Sequence, residues 1–468
     1  MNTNTSVIQL IAKKRAAVLA VMLAGSLGFA MDTYGSGHIF KKDYPASTNS
    51  DELQISSTFT IWIPEGVTTL RGVVVHQHGA GIPASEEGYA AAYDLHWQAL
   101  CKKWDCALLS PSYHVLNSKV DDSPGASQLW FDPRRGSEKT FLTALSDLGK
   151  DSQHPELEKV PWVLWGHSGG GIWADVMAAR HPERVAAMWL RSGSAAMWTV
   201  HTNFLAYEEP DLMFEIPIMC NSGIEEKNNR PWDGPLVTVR NHRAHNSPIA
   251  FAPDPLTGHW CGNSRYLAIP YLDACLALRL PDKGGTDQKL KSIDMSKGWL
   301  APVLGDTAVP ASEYKDDPKG ANWLPNETVA KAWMEYVKTG AVSDSTPPPA
   351  PYNVKVLDKG EEGSTITWEA DADFESGIHH FIIMRDGREL GNWPAVNQVR
   401  FQVRPNFQAG WMNSYGDAPG YPPREMRFED PNAKDRRKVS YEVISVNTVG
   451  LKSEPAVPVS VERVSRSK

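Results

Sequence analysis

Short apolar segments alternate with amphipathic ones between residues 55 and 280 of this 468-residue chain. Residues 70–76 (LRGVVVH) and 160–165 (VPWVLW) are almost uniformly apolar, as strands buried on both faces of a parallel sheet are. This β-α alternation predicts an α/β fold with a doubly wound, mainly parallel sheet and helices on both faces. The pattern places further strands at 105–109, 186–190, 216–220 and 248–252, and helices at 88–103, 138–148, 171–180 and 264–280.

The pattern changes after residue 280. Residues 281–345 are polar and contain one predicted helix, at 328–338. Residues 345–351 (STPPPAP) then form a proline-rich linker, which is stiff and extended.

Beyond the linker, apolar residues recur with period two. The segments 364–368 (STITW) and 440–450 (SYEVISVNTVG) show this alternation, which is typical of a β-sandwich. We therefore expect a first domain over 31–345, with 281–345 as its polar extension, and a second over 346–468. Separate cores would leave a chain cut at Pro347 folded and functional.

The first thirty residues have the pattern of an export signal. Lys13, Lys14 and Arg15 precede a short apolar run, 16–30, whose final small residues suit cleavage after Ala30. A membrane anchor is the alternative, although the run is shorter than the roughly 20 residues that span a bilayer. We expect a secreted or periplasmic protein without stable membrane insertion once residues 1–30 are removed.

Charge and cysteine content narrow the range of partners and ligands. The formal net charge is −8, and −11 without the three basic residues of the first thirty, which argues against nucleic acid as a partner. The five cysteines form no CxxC motif or other zinc-like spacing, so no metal is expected. Export would permit at most two disulfides, and the sequence leaves their pairing open.

One serine lies between glycines where a predicted strand meets a predicted helix. The sequence there reads Gly166-His167-Ser168-Gly169-Gly170. A GxSxG motif alone occurs often by chance, but a turn from buried strand to helix forces the serine into a strained conformation that exposes its oxygen. The glycines prevent side chains from colliding with the neighbouring backbone. A serine-capped, glycine-rich helix start is the structural alternative.

The motif and its setting resemble the nucleophile elbow of the α/β-hydrolase superfamily, over residues 55–280. The C-terminal segment resembles a fibronectin type III domain, with Trp368 in an early strand and Tyr441 opening a late strand that ends in Asn447 and Gly450.

The first resemblance implies a catalytic triad in the chain order serine, acid, histidine. His259 follows the last predicted strand, where the family places its base, while His242 and His245 are expected on a solvated helix face. In many members of this superfamily the acid follows a glycine by three positions in the loop after the equivalent of the strand at 216–220, so the resemblance implies Glu226. Glu225 is the alternative and Asp254 a weaker one.

The resemblance also implies an oxyanion hole. Backbone N–H groups of Gly169 and Ala80 are the candidates, the latter within the turn His78-Gly79-Ala80-Gly81. A metal site formed by His76 and His78 is an alternative without support from further ligands.

Aromatic residues and two irregular segments near the motif bear on specificity. Trp165, Trp173 and Trp260 either line a substrate wall or fill the core. Segments 111–135 and 194–215 lie where this fold inserts lids.

The resemblance implies a secreted serine hydrolase, most readily one of carboxylic esters, that needs no cofactor. Its substrate would be a small or polymeric ester, and the sequence does not reveal the acyl group, the alcohol or the oligomeric state. A serine peptidase on the same fold is one alternative. A binding or adhesion protein with an inert hydrolase domain is another.

Overall fold

A computed structural model describes residues 32–49, 51–80, 88–115, 128–199, 208–285, 289–396, 406–408, 416–435 and 438–462. The predicted signal peptide, 1–30, and the central parts of both predicted lids lie outside these ranges. Among the described residues, no helix has the length and apolar character needed to cross a membrane.

A large mixed sheet organises the first half of the described chain. Its strands are β1 Asp32–Thr33, β2 Gly37–Tyr44, β3 Ser57–Pro64, β4 Gly72–Gln77, β5 Cys106–Tyr113, β6 Trp162–His167, β7 Val185–Arg191, β8 Ile218–Gly223 and β9 Ile249–Asp254. Their spatial order is β1-β2-β3-β5-β4-β6-β7-β8-β9. Neighbours from β1 to β5 are antiparallel, and those from β5 to β9 are parallel.

Helices cover both faces of this sheet, as the apolar strands predicted. Val73 and Val75 belong to one apolar core and Val74 to another, so β4 is buried on both sides. The helices are α1 Leu95–Lys103, α2 Gln128–Phe131, α3 Ser137–Asp151, α4 Gly169–Arg180, α5 Ala196–Thr199, α6 Arg230–Ala244, α7 Arg265–Arg279 and α8 Glu327–Thr339. Helices α3, α4 and α6 pack in the first core, and α1, α7 and α8 in the second.

Residues 281–345 contain more structure than the predicted helix. Helix α8 matches the prediction, and its Trp333 is buried in the second core. The sequence pattern missed a small antiparallel sheet in the order β11-β10-β12. Its strands are too short to show a clear period: β10 Trp299–Pro302, β11 Val309–Pro310 and β12 Ala321–Leu324.

Two antiparallel sheets follow the proline-rich linker, as a β-sandwich requires. Among the described residues, one has the order β13-β14-β17 and the other β16-β15-β18-β19. Trp368 and Tyr441 are buried between them, together with Leu95 of α1. The strands are β13 Tyr352–Asp358, β14 Ser364–Glu369, β15 Ile378–Arg385, β16 Arg388–Trp393, β17 Arg427–Asp430, β18 Lys438–Asn447 and β19 Val459–Glu462.

The cysteines contribute apolar packing rather than crosslinks. All five lie in the described ranges as buried thiols, and none forms a disulfide. Burial raises the pKa of Cys106 to about 12.

Candidate active site

The predicted serine turn has the strained geometry that its glycines allow. Ser168 connects β6 to α4 with φ 53° and ψ −116°, a conformation that non-glycine residues rarely adopt. A side-chain carbon on Gly166 would lie 2.3 Å from the carbonyl oxygen of Gly170. One on Gly170 would lie 2.3 Å from the carbonyl oxygen of Gln77. The backbone of the turn itself therefore requires glycine at 166, and the packing of β4 against the turn requires glycine at 170.

Three predicted site residues form one chain of hydrogen bonds. The Oγ of Ser168 lies 2.9 Å from Nε2 of His259. On the other side of the ring, Nδ1 of His259 donates to Oε1 of Glu226. The hydroxyl, the imidazole and the carboxylate thus lie in the order that acyl transfer by serine requires.

The other oxygen of Glu226 is held by two donors. The hydroxyl of Ser192 donates to Oε2 at 2.6 Å, and the backbone N–H of Gly223 donates to it at 3.0 Å. Only 6% of the residue is exposed. Fixed donors hold the carboxylate in one orientation, so that Oε1 faces the imidazole.

The two alternative acids occupy different positions. Glu225 is exposed, and one of its carboxylate oxygens lies 3.0 Å from the position that a side-chain carbon on Gly258 would take. Asp254 is buried, but its carboxylate accepts from Tyr336 Oη at 2.8 Å and from the backbone N–H of Leu256 at 3.0 Å. Of these three carboxylates, it is that of Glu226 that contacts the imidazole.

The remaining histidines near the site have separate partners. His167 donates from Nε2 to the carbonyl oxygen of His259 at 2.7 Å, and burial together with the charge of His259 lowers its pKa. The expectation of a solvated face holds for His245, which is exposed, but is wrong for His242. Helix α6 buries His242 completely, and its Nε2 lies 3.2 Å from Oε1 of Glu209.

Sequence reasoning missed Arg191, at the carboxyl end of β7. Its fully buried guanidinium donates to Thr257 Oγ1 at 2.8 Å, to the carbonyl oxygen of Gly258 at 2.9 Å and to that of Trp260. These acceptors lie on both sides of His259, so one side chain fixes the loop that carries the base. A charged residue closing an otherwise apolar strand (VAAMWLR) was the available signal.

The turn after β4 lies against the start of α4. A side-chain carbon on Gly169 would lie 2.9 Å from the Cβ atom of Ala80 and 3.2 Å from its backbone nitrogen. His78 donates from Nδ1 to the carbonyl oxygen of Gly79 at 2.6 Å, and burial lowers the pKa of His78 to about 4. The amides of Ala80 and Gly169 are therefore neighbours, beside an imidazole that is neutral at physiological pH.

Two aromatic side chains that the sequence did not single out, those of Phe131 and Trp198, lie near the start of α4. Trp165 and Trp173 are buried in the core, and Trp260 is half-buried. The ring of Phe131 comes within 3.3 Å of the position that a side-chain carbon on Gly169 would take. Trp198 packs nearly parallel to it, with ring centroids 6.4 Å apart.

The two histidines considered as a metal pair belong to different hydrogen-bond networks. His76 lies 3.2 Å from a carboxylate oxygen of Asp417, whereas His78 bonds to Gly79. Within the described part of the chain, the acidic side chains that meet closely enough for a cation are those of Asp344, Asp373 and Glu375. They lie in the linker and sandwich, not among the residues around Ser168.

Comparisons with known proteins return similarities of fold at low identity. No family model matches the chain, and no curated protein matches it by sequence. Among solved structures, a ferulic acid esterase is 13% identical, with 48% of this chain and 92% of that chain covered and a TM-score of 0.33.

Two further solved structures give similar values. An S-formylglutathione hydrolase from Agrobacterium tumefaciens is 16% identical over 53% of this chain and 96% of that one, with a TM-score of 0.36. A dienelactone hydrolase from Anabaena variabilis is 18% identical over 47% and 88%, with a TM-score of 0.28. Similarity this low assigns neither activity nor substrate, and the site is therefore judged by its own geometry.

Proposed function

We propose that this chain is a serine hydrolase of carboxylic esters, with Ser168 as nucleophile, His259 as base and Glu226 as the acid. The observation that carries the proposal is the continuous contact from Ser168 Oγ through both nitrogens of His259 to Glu226. A second support is the strained backbone of Ser168, since strain of this kind persists where it has a function.

In the proposed reaction, Ser168 Oγ attacks the acyl carbon while its proton passes to His259 Nε2. The negative charge of Glu226 favours the imidazolium that forms and keeps Nδ1–H directed toward itself. Collapse of the tetrahedral intermediate breaks the bond to the alcohol, which takes the proton from His259. Water then attacks the acyl-enzyme by the same route, with His259 again as base, and releases the acid.

We assign the oxyanion hole to the backbone N–H groups of Gly169 and Ala80. Their adjacency beside Ser168 supports this, because donors fixed before the reaction stabilise a developing oxyanion without reorganisation. Burial lowers the pKa of His78 to about 4, so its imidazole is neutral and the proposed stabilisation comes from the backbone dipoles. Phe131 and Trp198 would border the acyl group.

We further propose that the chain is an exported α/β-hydrolase with a fibronectin type III-like C-terminal domain. The strand order of the large sheet and the arrangement of three and four strands in the two small sheets support the two folds. The basic residues and the apolar run within residues 1–30 support export. The substrate would be a small or polymeric ester, and the reaction needs no cofactor.

The test combines covalent labelling with a substrate panel. A fluorophosphonate should add one adduct to the wild-type chain and none to Ser168→Ala, whose thermal melting should remain unchanged. p-Nitrophenyl esters should be hydrolysed and peptide anilides should not. Faster cleavage of anilides would support the peptidase alternative. Labelling that persists in Ser168→Ala, or its absence in the wild type, would contradict the proposal.

A further inference from the structure

A carboxylate from the C-terminal half is buried inside the first half of the chain. Asp417 follows β16 and precedes β17 in sequence, yet its side chain is 0% exposed beside α1, α7 and β4. Its Oδ2 accepts from Trp97 Nε1 at 2.7 Å and lies 3.2 Å from His76 Nε2. Its Oδ1 accepts from Arg265 Nε at 2.8 Å.

The buried charge of Asp417 is stabilised by the buried guanidinium of Arg265. Arg265 also donates to the backbone carbonyl of Asp417 and pairs with Asp94 at 2.8 Å, and these side chains are at most 3% exposed. Burial alone would raise the pKa of Asp417, but the charge of Arg265 and hydrogen bonds from His76 and Arg265 lower it to about 2. Asp417 therefore remains a carboxylate, and its removal would leave Arg265 with one acidic partner instead of two.

The network reaches the site through His76. Its ring stacks on that of Trp165, with centroids 3.9 Å apart and an angle of 13° between the planes. His76 and Trp165 are also paired in register between β4 and β6. Strand β4 leads into the turn that holds Ala80, and β6 leads into Ser168. The stack therefore joins the two strands whose ends carry the oxyanion amide and the nucleophile.

We propose that Asp417 is a positioning residue for the hydrolase reaction, acting through His76 and Trp165 on the spacing between the Ala80 turn and Ser168. This inference rests on the proposed function. It makes the C-terminal half part of the enzyme and not a detachable module. The proline-rich linker had suggested separate cores, whereas this contact predicts that a chain cut at Pro347 loses turnover.

The test uses full-length variants on one soluble p-nitrophenyl ester, with rates normalised to the fraction of sites that a fluorophosphonate titrates. Asp417→Asn should lower kcat roughly 10- to 100-fold, the range expected for a small misplacement of reacting groups, with KM within about twofold. Asp417→Glu should recover part of kcat. The matched control is Asp371→Asn, because Asp371 also joins the two halves, through Lys102 and Ser36, without contacting His76. It should leave kcat and KM unchanged.

His76→Phe tests the same link if Asp417→Asn does not fold. It keeps a ring to stack on Trp165 and leaves the pair of Asp417 and Arg265 intact, and we expect a similar loss of kcat. Wild-type kcat per titrated site in Asp417→Asn or in His76→Phe would overturn this proposal alone. A wild-type chain that neither labels nor hydrolyses esters would overturn the proposed function and this proposal with it.

Discussion

The carbonyl oxygen of Arg191 accepts the backbone N–H of Ser168 at 2.8 Å. The side chain of the same arginine holds the loop on both sides of His259, and the next residue, Ser192, donates to Glu226. The end of this strand thus bonds to Ser168, to Glu226 through Ser192, and to residues on both sides of His259. The positions of Ser168, His259 and Glu226 relative to one another therefore depend on the end of β7 as much as on the turn at Ser168.

Arg191→Met should reduce kcat on the order of 100-fold, because the loop carrying His259 would lose three hydrogen bonds and shift relative to Ser168. KM should change little, since no substrate contact is removed. Steady-state kinetics and the rate of fluorophosphonate labelling measure the effect.

Arg191→Lys is the informative companion variant. Lysine keeps the charge but not the planar fork that reaches several acceptors at once, so we expect most of the loss to remain. Full activity in both variants would show that the loop is held by other contacts.

Glu226→Gln should reduce turnover about 10⁴-fold, because glutamine keeps the shape but not the charge that favours the imidazolium. Glu225→Gln is the matched control, one position away and exposed, and should be close to wild type. Turnover of both variants on one ester decides between them. A large loss in Glu225→Gln alone would reverse the assignment, and normal rates in both would direct attention to Asp254.

Trp198→Ala should lower kcat/KM for an ester with an aromatic acyl group about 10-fold while affecting the acetyl ester little. The reason is the lost apolar wall beside Phe131. Tyr421→Ala removes an aromatic ring that is 48% exposed in the C-terminal half and serves as the control. Equal losses for both esters would mean that Trp198 stabilises the fold without contacting the acyl group.

Asp373 should make the folded state less stable as pH rises from about 4 to 7. Burial, together with a hydrogen bond to Glu375, raises its pKa from 3.8 to about 7. Between these values the folded chain keeps a proton that the unfolded chain releases, so unfolding becomes more favourable with increasing pH. Asp373→Asn should remove this contribution.

Thermal melting of the wild type and of Asp373→Asn across pH 4 to 8 measures the contribution of Asp373 to the stability of the folded state. The variant should melt higher at pH 8, and the difference should shrink or reverse at pH 4. Asp358→Asn, exposed at the end of β13, is the control and should follow the wild-type profile. Parallel profiles for wild type and Asp373→Asn would refute the prediction.

The sequence predicted the features that depend on short-range pattern. Mostly apolar runs located the six strands β4 to β9, because burial on both faces leaves few polar positions in a strand such as β4. The pattern missed the antiparallel strands β1, β2 and β3 of the same sheet. The glycines around Ser168 marked a turn whose sterics permit no side chain. The resemblance to the α/β-hydrolases selected His259 and Glu226, and the structure places their side chains in contact, while their catalytic roles stay predictions.

The missed features depend on contacts between distant segments. The charge that closes the apolar strand β7 was a local signal at Arg191, but it does not indicate the acceptors in the loop around His259, which lie more than sixty residues away. Asp417 lies in a polar, irregular stretch, and its partner Arg265 is 152 residues away. The sequence therefore gave no indication that Asp417, in a loop, and Arg265, in a helix, would join the two halves of the chain.

The pairing of Asp417 with Arg265 also sets an order of events during biosynthesis. At elongation rates of about 5–20 residues per second, Arg265 waits roughly 8 to 30 s for Asp417 to be translated. Until then, the helix that carries Arg265 lacks a fixed anionic partner for its final packing. Final packing of the N-terminal half consequently waits until Asp417 has been synthesised.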